Sequence, residues 1–155
     1  MMSKSRNFIC VAAMLFAAQA QAGEVTASDA WARATAPGQE NGSVGLVITC
    51  QKDARLIAVT TPASTSAEIH TMLMDNGVMK MRQLEFLPLP AKQPVTLGPG
   101  SDHLMLFGLK NPLKEGDNIH LTLTVQFADK STEKVSVKAL VRPLTAAPNK
   151  HLHHD

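Results

Sequence analysis

Asn118-Ile119-His120-Leu121-Thr122-Leu123-Thr124-Val125-Gln126-Phe127 is the stretch on which the reading of the fold turns. Ile119, Leu121, Leu123 and Val125 alternate with His120, Thr122, Thr124 and Gln126. That period of two fits a strand with one buried face and one wet face, and it places His120 on the solvated side. Working outward, similar short runs cover Val25 to Arg33, Ser43 to Cys50, Leu56 to Thr60, Ala67 to Met74 and Val78 to Glu85. Val95 to Leu97, His103 to Lys110 and Glu133 to Val141 complete the expected strands. Pro37-Gly38, Asn41-Gly42, Asn76-Gly77, Pro99-Gly100 and Glu115-Gly116 read as turns between them. No long amphipathic helix and no internal repeat is visible after the N-terminal segment, so the expected class is all-β, a sandwich or barrel.

The first residues are of a different kind. Lys4 and Arg6 precede the apolar run Phe8 to Ala18, and Ala20-Gln21-Ala22 offers small residues at the positions a signal peptidase reads. The expectation is a signal peptide over residues 1–22, cleaved after Ala22. Cys10 is not preceded by the small residue that lipid modification requires, so it is expected to leave with the signal. Residues 23–142 are expected to form one domain, followed by a flexible, His-rich tail over 143–155. Of 15 Lys and Arg, only Lys4 and Arg6 go with the signal, which leaves 13 basic residues against 13 acidic ones. A balanced chain gives no electrostatic reason to expect nucleic acid or an anionic membrane as partner. No later segment is long and apolar enough to span a bilayer. Cys50 alone remains of the two cysteines, so an intramolecular disulfide is excluded, and the thiol is expected to be buried.

The methionines carry the chemistry. Met72, Met74, Met79 and Met81 crowd around Asp75-Asn76-Gly77, and Met105 stands further on. Asn-Gly favours a two-residue type I′ hairpin turn, because both central residues of that turn need positive φ. Such a turn pairs Asp75 with Val78, Met74 with Met79 and Met72 with Met81, and puts His70 on the same face as Met72. A three-residue loop would shift this pairing by one. Lys80 and Arg82 flank Met81, which fits either a Met face turned inward or a hairpin exposed on both sides. His103 and Met105, two apart after the Pro99-Gly100 turn, share a face of their own strand.

His70, Met81, His103 and Met105 would make two imidazoles and two thioethers. Thioether is a soft, neutral donor that favours Cu(I), whereas zinc is more usually held by thiolate, imidazole or carboxylate. A redox-active blue-copper centre needs a cysteine ligand, and Cys50 is isolated. The competing reading is that the methionines fill the core and the histidines are incidental. Enzyme chemistry finds little support: there is no Cys-x-x-Cys, and Ser, His and acid residues form no recognisable triad. A metal-free adhesion module leaves the ordered His/Met spacing unexplained.

The spacing of His70, ten residues, Met81, twenty-one residues, His103-Leu104-Met105 resembles the motif of the periplasmic copper chaperones called PCuAC. Ala30-Trp31-Ala32-Arg33, Gly77-Val78-Met79-Lys80-Met81-Arg82 and Gly108-Leu109-Lys110-Asn111-Pro112-Leu113 are similar to that family too. The resemblance covers about Ala30 to Val141. It implies a cupredoxin-like Greek-key β-sandwich, a periplasmic location, and a non-enzymatic role. It also implies Cu(I) delivery toward the dinuclear copper centre of cytochrome c oxidase, with an oxidase subunit or a Sco-type protein as acceptor and a monomeric carrier. On this resemblance the metal ligands are His70, Met81, His103 and Met105. Some members have Met directly after the first histidine; here that residue is Thr71, which leaves open whether Met72 substitutes. His151, His153 and His154 at the end of the tail read either as a second site, for Cu(II), or as an ordinary polar terminus.

Overall fold

A computed structural model describes residues 23–144. Ten strands follow in chain order: β1 (Val25–Arg33), β2 (Asn41–Cys50), β3 (Ala54–Thr60), β4 (Ser64–Asp75) and β5 (Val78–Leu84) come first. β6 (Leu87–Leu89), β7 (Val95–Leu97), β8 (His103–Leu109), β9 (Asn118–Phe127) and β10 (Thr132–Arg142) complete them. They form one coiled sheet in the order β5-β4-β8-β2-β1-β10-β9-β3-β6, with β7 pairing to β2. β1 and β10 run parallel and the other pairs antiparallel. This is the expected all-β, cupredoxin-like class. Among the described residues no helix is long and apolar enough to cross a membrane.

The alternation in β9 holds throughout: Ile119, Leu121, Leu123 and Val125 are buried while His120 is exposed. They join Leu46, Ile48, Leu104 and Leu106 from the other half of the sheet in one core. Burying each such leucine fully contributes roughly 1.5–3 kcal/mol before conformational entropy is counted against it. Cys50 is part of this core, and burial first, then the charge of Glu133, pushes its thiol pKa up. It therefore stays protonated and away from the surface.

Two readings of the sequence need correcting here. Asn41-Gly42 is not a turn but the start of β2, with Gly42 opposite Leu106. A Cβ at Gly42 would lie 3.3 Å from Leu113 and 3.5 Å from Leu109, so the glycine serves close packing. β6, Leu87-Pro88-Leu89, gives no strand signal in the sequence, because proline cannot donate to a ladder. β6 is the last strand of the sheet, where one side needs no partner, and Pro88 is tolerated there.

Candidate metal centre

The hairpin β4–β5 has the register expected of a two-residue turn. Asn76 and Gly77 have φ of 50° and 79°, and Asp75 pairs with Val78, Met74 with Met79 and Met72 with Met81. Ile69 points into the core, so Glu68, His70, Met72 and Met74 all face outward on the other side of β4. β5 is exposed along almost its whole length, which settles the choice in favour of a hairpin open on both sides.

β8 lies against β4 with His70 opposite His103 and Glu68 opposite Met105. Leu104 and Leu106 of β8 are buried in the core, which turns His103 and Met105 to the same outer face as His70. The two imidazole rings are 6.0 Å apart between centroids, and His70 is 5.8 Å from the ring of Phe107. Met72, Met81, His103 and Met105 line a common cleft of about 380 Å³, walled on the far side by Trp31 and Arg33. His70 flanks this cleft beside His103 without lining it. Four of the five candidate core-domain donors thus share one cavity, and the fifth touches its edge.

The surroundings set the state of each ring. Nε2 of His70 lies 2.7 Å from Oε2 of Glu68, and an ionised carboxylate can only accept, so Nε2 carries a proton and donates it. Nδ1 of His70 is buried with no hydrogen-bond partner, so it is the ring nitrogen left for coordination. His103 is the mirror case: its Nδ1–H donates to the Ser101 carbonyl at 2.9 Å, leaving Nε2 as the free nitrogen. Each histidine is therefore oriented through one nitrogen and offers the other, an arrangement common to metal-binding imidazoles. Among the described residues no three of His, Cys, Asp and Glu gather closely enough to hold an ion, and the side-chain donors that accompany the two imidazoles here are the thioethers of Met72, Met81 and Met105.

Exposure differs sharply between the donors. Met81 is 52% exposed, whereas His103 is only 7% exposed. His103 thus lies inside the cleft, which it lines together with the Gly98–Gly100 turn, Trp31 and Arg33. That wall is positioned by a bulge in β1, where Asp29 adopts φ of 51° and the register shifts between Ser28 and Trp31. Trp31 then lies across Gly45 of β2, with the Arg142 guanidinium 5.3 Å from its ring. Glu68 was missed in the sequence, although the alternation that joins His70 to Met72 also joins it to Glu68. His151, His153 and His154, like the expected signal segment 1–22, lie outside the described residues.

Fold and site together define a small cupredoxin-like β-domain with a cluster of imidazole and thioether donors on the outer face of its sheet. The chain belongs to the LpqE-like family, whose profile matches residues 25–139. A protein of Leifsonia xyli subsp. xyli named "Putative lipoprotein Lxx21020" is 34% identical over 118 residues, which is 76% of this chain and 70% of that one. Among solved structures, the apo PCuAC domain from PmoF1 superposes with a TM-score of 0.63 at 27% identity, covering 78% of this chain and 95% of that one. The solution structure of CuI-DR1885 from Deinococcus radiodurans gives a TM-score of 0.60 at 32% identity, covering 81% of this chain and 83% of that one.

Proposed function

We propose that this protein is an exported Cu(I) carrier that holds the ion through His70, Met81, His103 and Met105 and passes it to an acceptor. The observation that carries this reading is the convergence of His103, Met81 and Met105 on one cleft with His70 at its edge, each ring keeping one nitrogen free. The likeness to a solved Cu(I) form of the Deinococcus protein supports it. Two neutral imidazoles and two neutral thioethers suit a soft monovalent ion, and none of them must be oxidised or reduced. Paired thiolates on an acceptor would bind Cu(I) more strongly, so transfer can proceed downhill by stepwise ligand exchange at the exposed Met81 side. The acceptor class we favour is a copper-receiving protein of cytochrome c oxidase assembly, an oxidase subunit or a Sco-type protein. Cleavage after Ala22 and a periplasmic location complete the proposal, and the lipoprotein name of the Leifsonia relative is in keeping with export. Any Cu(II) uptake is assigned to His151, His153 and His154 of the tail.

The test is an anaerobic Cu(I) titration of the chain from Gly23 against a competing chelator, followed by mixing with a reduced dithiol acceptor. One tightly held equivalent that moves to the acceptor is the expected result. Tight binding without transfer would mean storage, and no binding would end the copper reading.

Glu68 provides a second expectation. Glu68→Ala removes the group that orients His70 and should weaken Cu(I) binding about 10–100-fold, the usual effect of losing such a partner. Glu68→Gln keeps an acceptor oxygen for the Nε2–H and should recover most of the loss. Equal affinities for all three forms, read by chelator competition, would show that Glu68 does not act through His70.

A further inference from the structure

Of the methionines among the described residues, the four proposed ligands leave Met72, which lines the cleft, and Met74 and Met79, which stand at the tip of the β4–β5 hairpin. Met74 and Met79 are paired directly across the two strands, on the same face as Met72, Met81 and His70. They do no core work: Met74 is 65% exposed and Met79 48% exposed. In a two-residue hairpin the residues flanking the turn, Asp75 and Val78, form a hydrogen-bonded pair, so Met74–Met79 and Met72–Met81 both fall at non-hydrogen-bonded positions. There the opposed Cα atoms approach to about 4.5 Å and the side chains are closest. The two methionine pairs are successive rungs on one face, about 6.8 Å apart along the strands. The hairpin's cations are kept off this face. Lys80 and Arg82 point to the opposite side, and Lys80 is held there by Asp75 at 2.7 Å.

We infer that Met74 and Met79 form a second, weaker site for a soft monovalent cation, the outer rung of a thioether track that ends at the His/Met cleft. Two neutral sulfurs from opposed strands can hold such an ion between them, and the Met72–Met81 rung shares its inner sulfur with the main site. An ion moves along the track by exchanging one thioether for the next, with no change of oxidation state. The exposed tip is where an incoming or departing ion meets solvent or an acceptor. This inference extends the carrier reading and rests on it for the role of the track, though not for binding at the tip.

Anaerobic Cu(I) titration of the chain from Gly23, labelled with carbon-13 at the methionine ε-methyl groups, tests it by NMR. The first equivalent is expected to move the Met81 and Met105 methyls, and further Cu(I) to move those of Met74 and Met79 together. The variant Met74→Leu, Met79→Leu retains the apolar bulk. It should keep the first-equivalent shifts and affinity while losing the second binding step. Stationary Met74 and Met79 methyls under excess Cu(I) would overturn the inference and leave the four-ligand site standing. Movement of Met74 and Met79 without Met81 and Met105 would do the reverse.

Discussion

Replacing Met81 and His103 together by alanine is expected to lower Cu(I) affinity by well over about 100-fold, since losing only an orienting partner already costs 10–100-fold. The two residues do not contribute alike to the fold. Met81 is half in solvent on β5, so Met81→Ala removes a donor with little packing. His103 is buried, and its loss leaves the Ser101 carbonyl without its Nδ1–H, a cost of about 1–3 kcal/mol. The single Met81 variant should therefore lose copper at unchanged melting temperature, and the His103 variant should lose both copper and some stability. Competition with a Cu(I) chelator, alongside a thermal melt, separates the effects. Wild-type affinity in the double variant would remove both side chains from the donor set.

Gly45→Ala is expected to produce the largest loss of stability from the smallest change. An added Cβ would stand 2.7 Å from the Leu97 carbonyl oxygen and 2.7 Å from Nε1 of Trp31. The first contact is to backbone held in register, because Leu97 pairs with Leu46. Relief requires either prising β7 from β2 or expelling Trp31 from the cleft wall. Overpacking of this kind costs about 3 kcal/mol, the upper end of the usual range, and a domain of this size would melt roughly 10 °C lower. Circular dichroism melts check the number, and Trp31 emission reports whether the indole has moved into water. An unchanged melting temperature with unchanged emission would mean that the close approach of Trp31 and β7 is not a constraint.

Local chemistry was legible in the sequence, and assembly less so. Asn76-Gly77 dictates its own turn through two positive φ values, and from that single feature the cross-strand partners of three residues follow. β9 declared its buried face through strict alternation. By contrast, β8 sits between β4 and β2 after a long excursion through β5, β6 and β7, and no local rule joins strands so far apart in the chain. The copper-chaperone resemblance supplied that juxtaposition where pattern alone could not. Burial of His103 likewise depends in part on the Trp31 and Arg33 wall of β1, which its neighbours in sequence do not announce. The Glu68–His70 contact follows from strand alternation, but a carboxylate is not itself a soft donor and so does not stand out in a His/Met pattern.

β5 has a neighbour on one side only, while β8 is paired on both sides and rooted in the core through Leu104 and Leu106. The proposed donor set is therefore split between a fixed jaw, carrying His70 on β4 with His103 and Met105 on β8, and a jaw that can fray, carrying Met81. Opening β5 breaks a single ladder and exposes almost no apolar core, so it should cost far less free energy than global unfolding. On the proposed carrier reading, the ion leaves by a local breathing of the sheet edge while the domain stays folded. Its residence time would be set by the lifetime of a hairpin, which amide hydrogen exchange along β5 would measure directly.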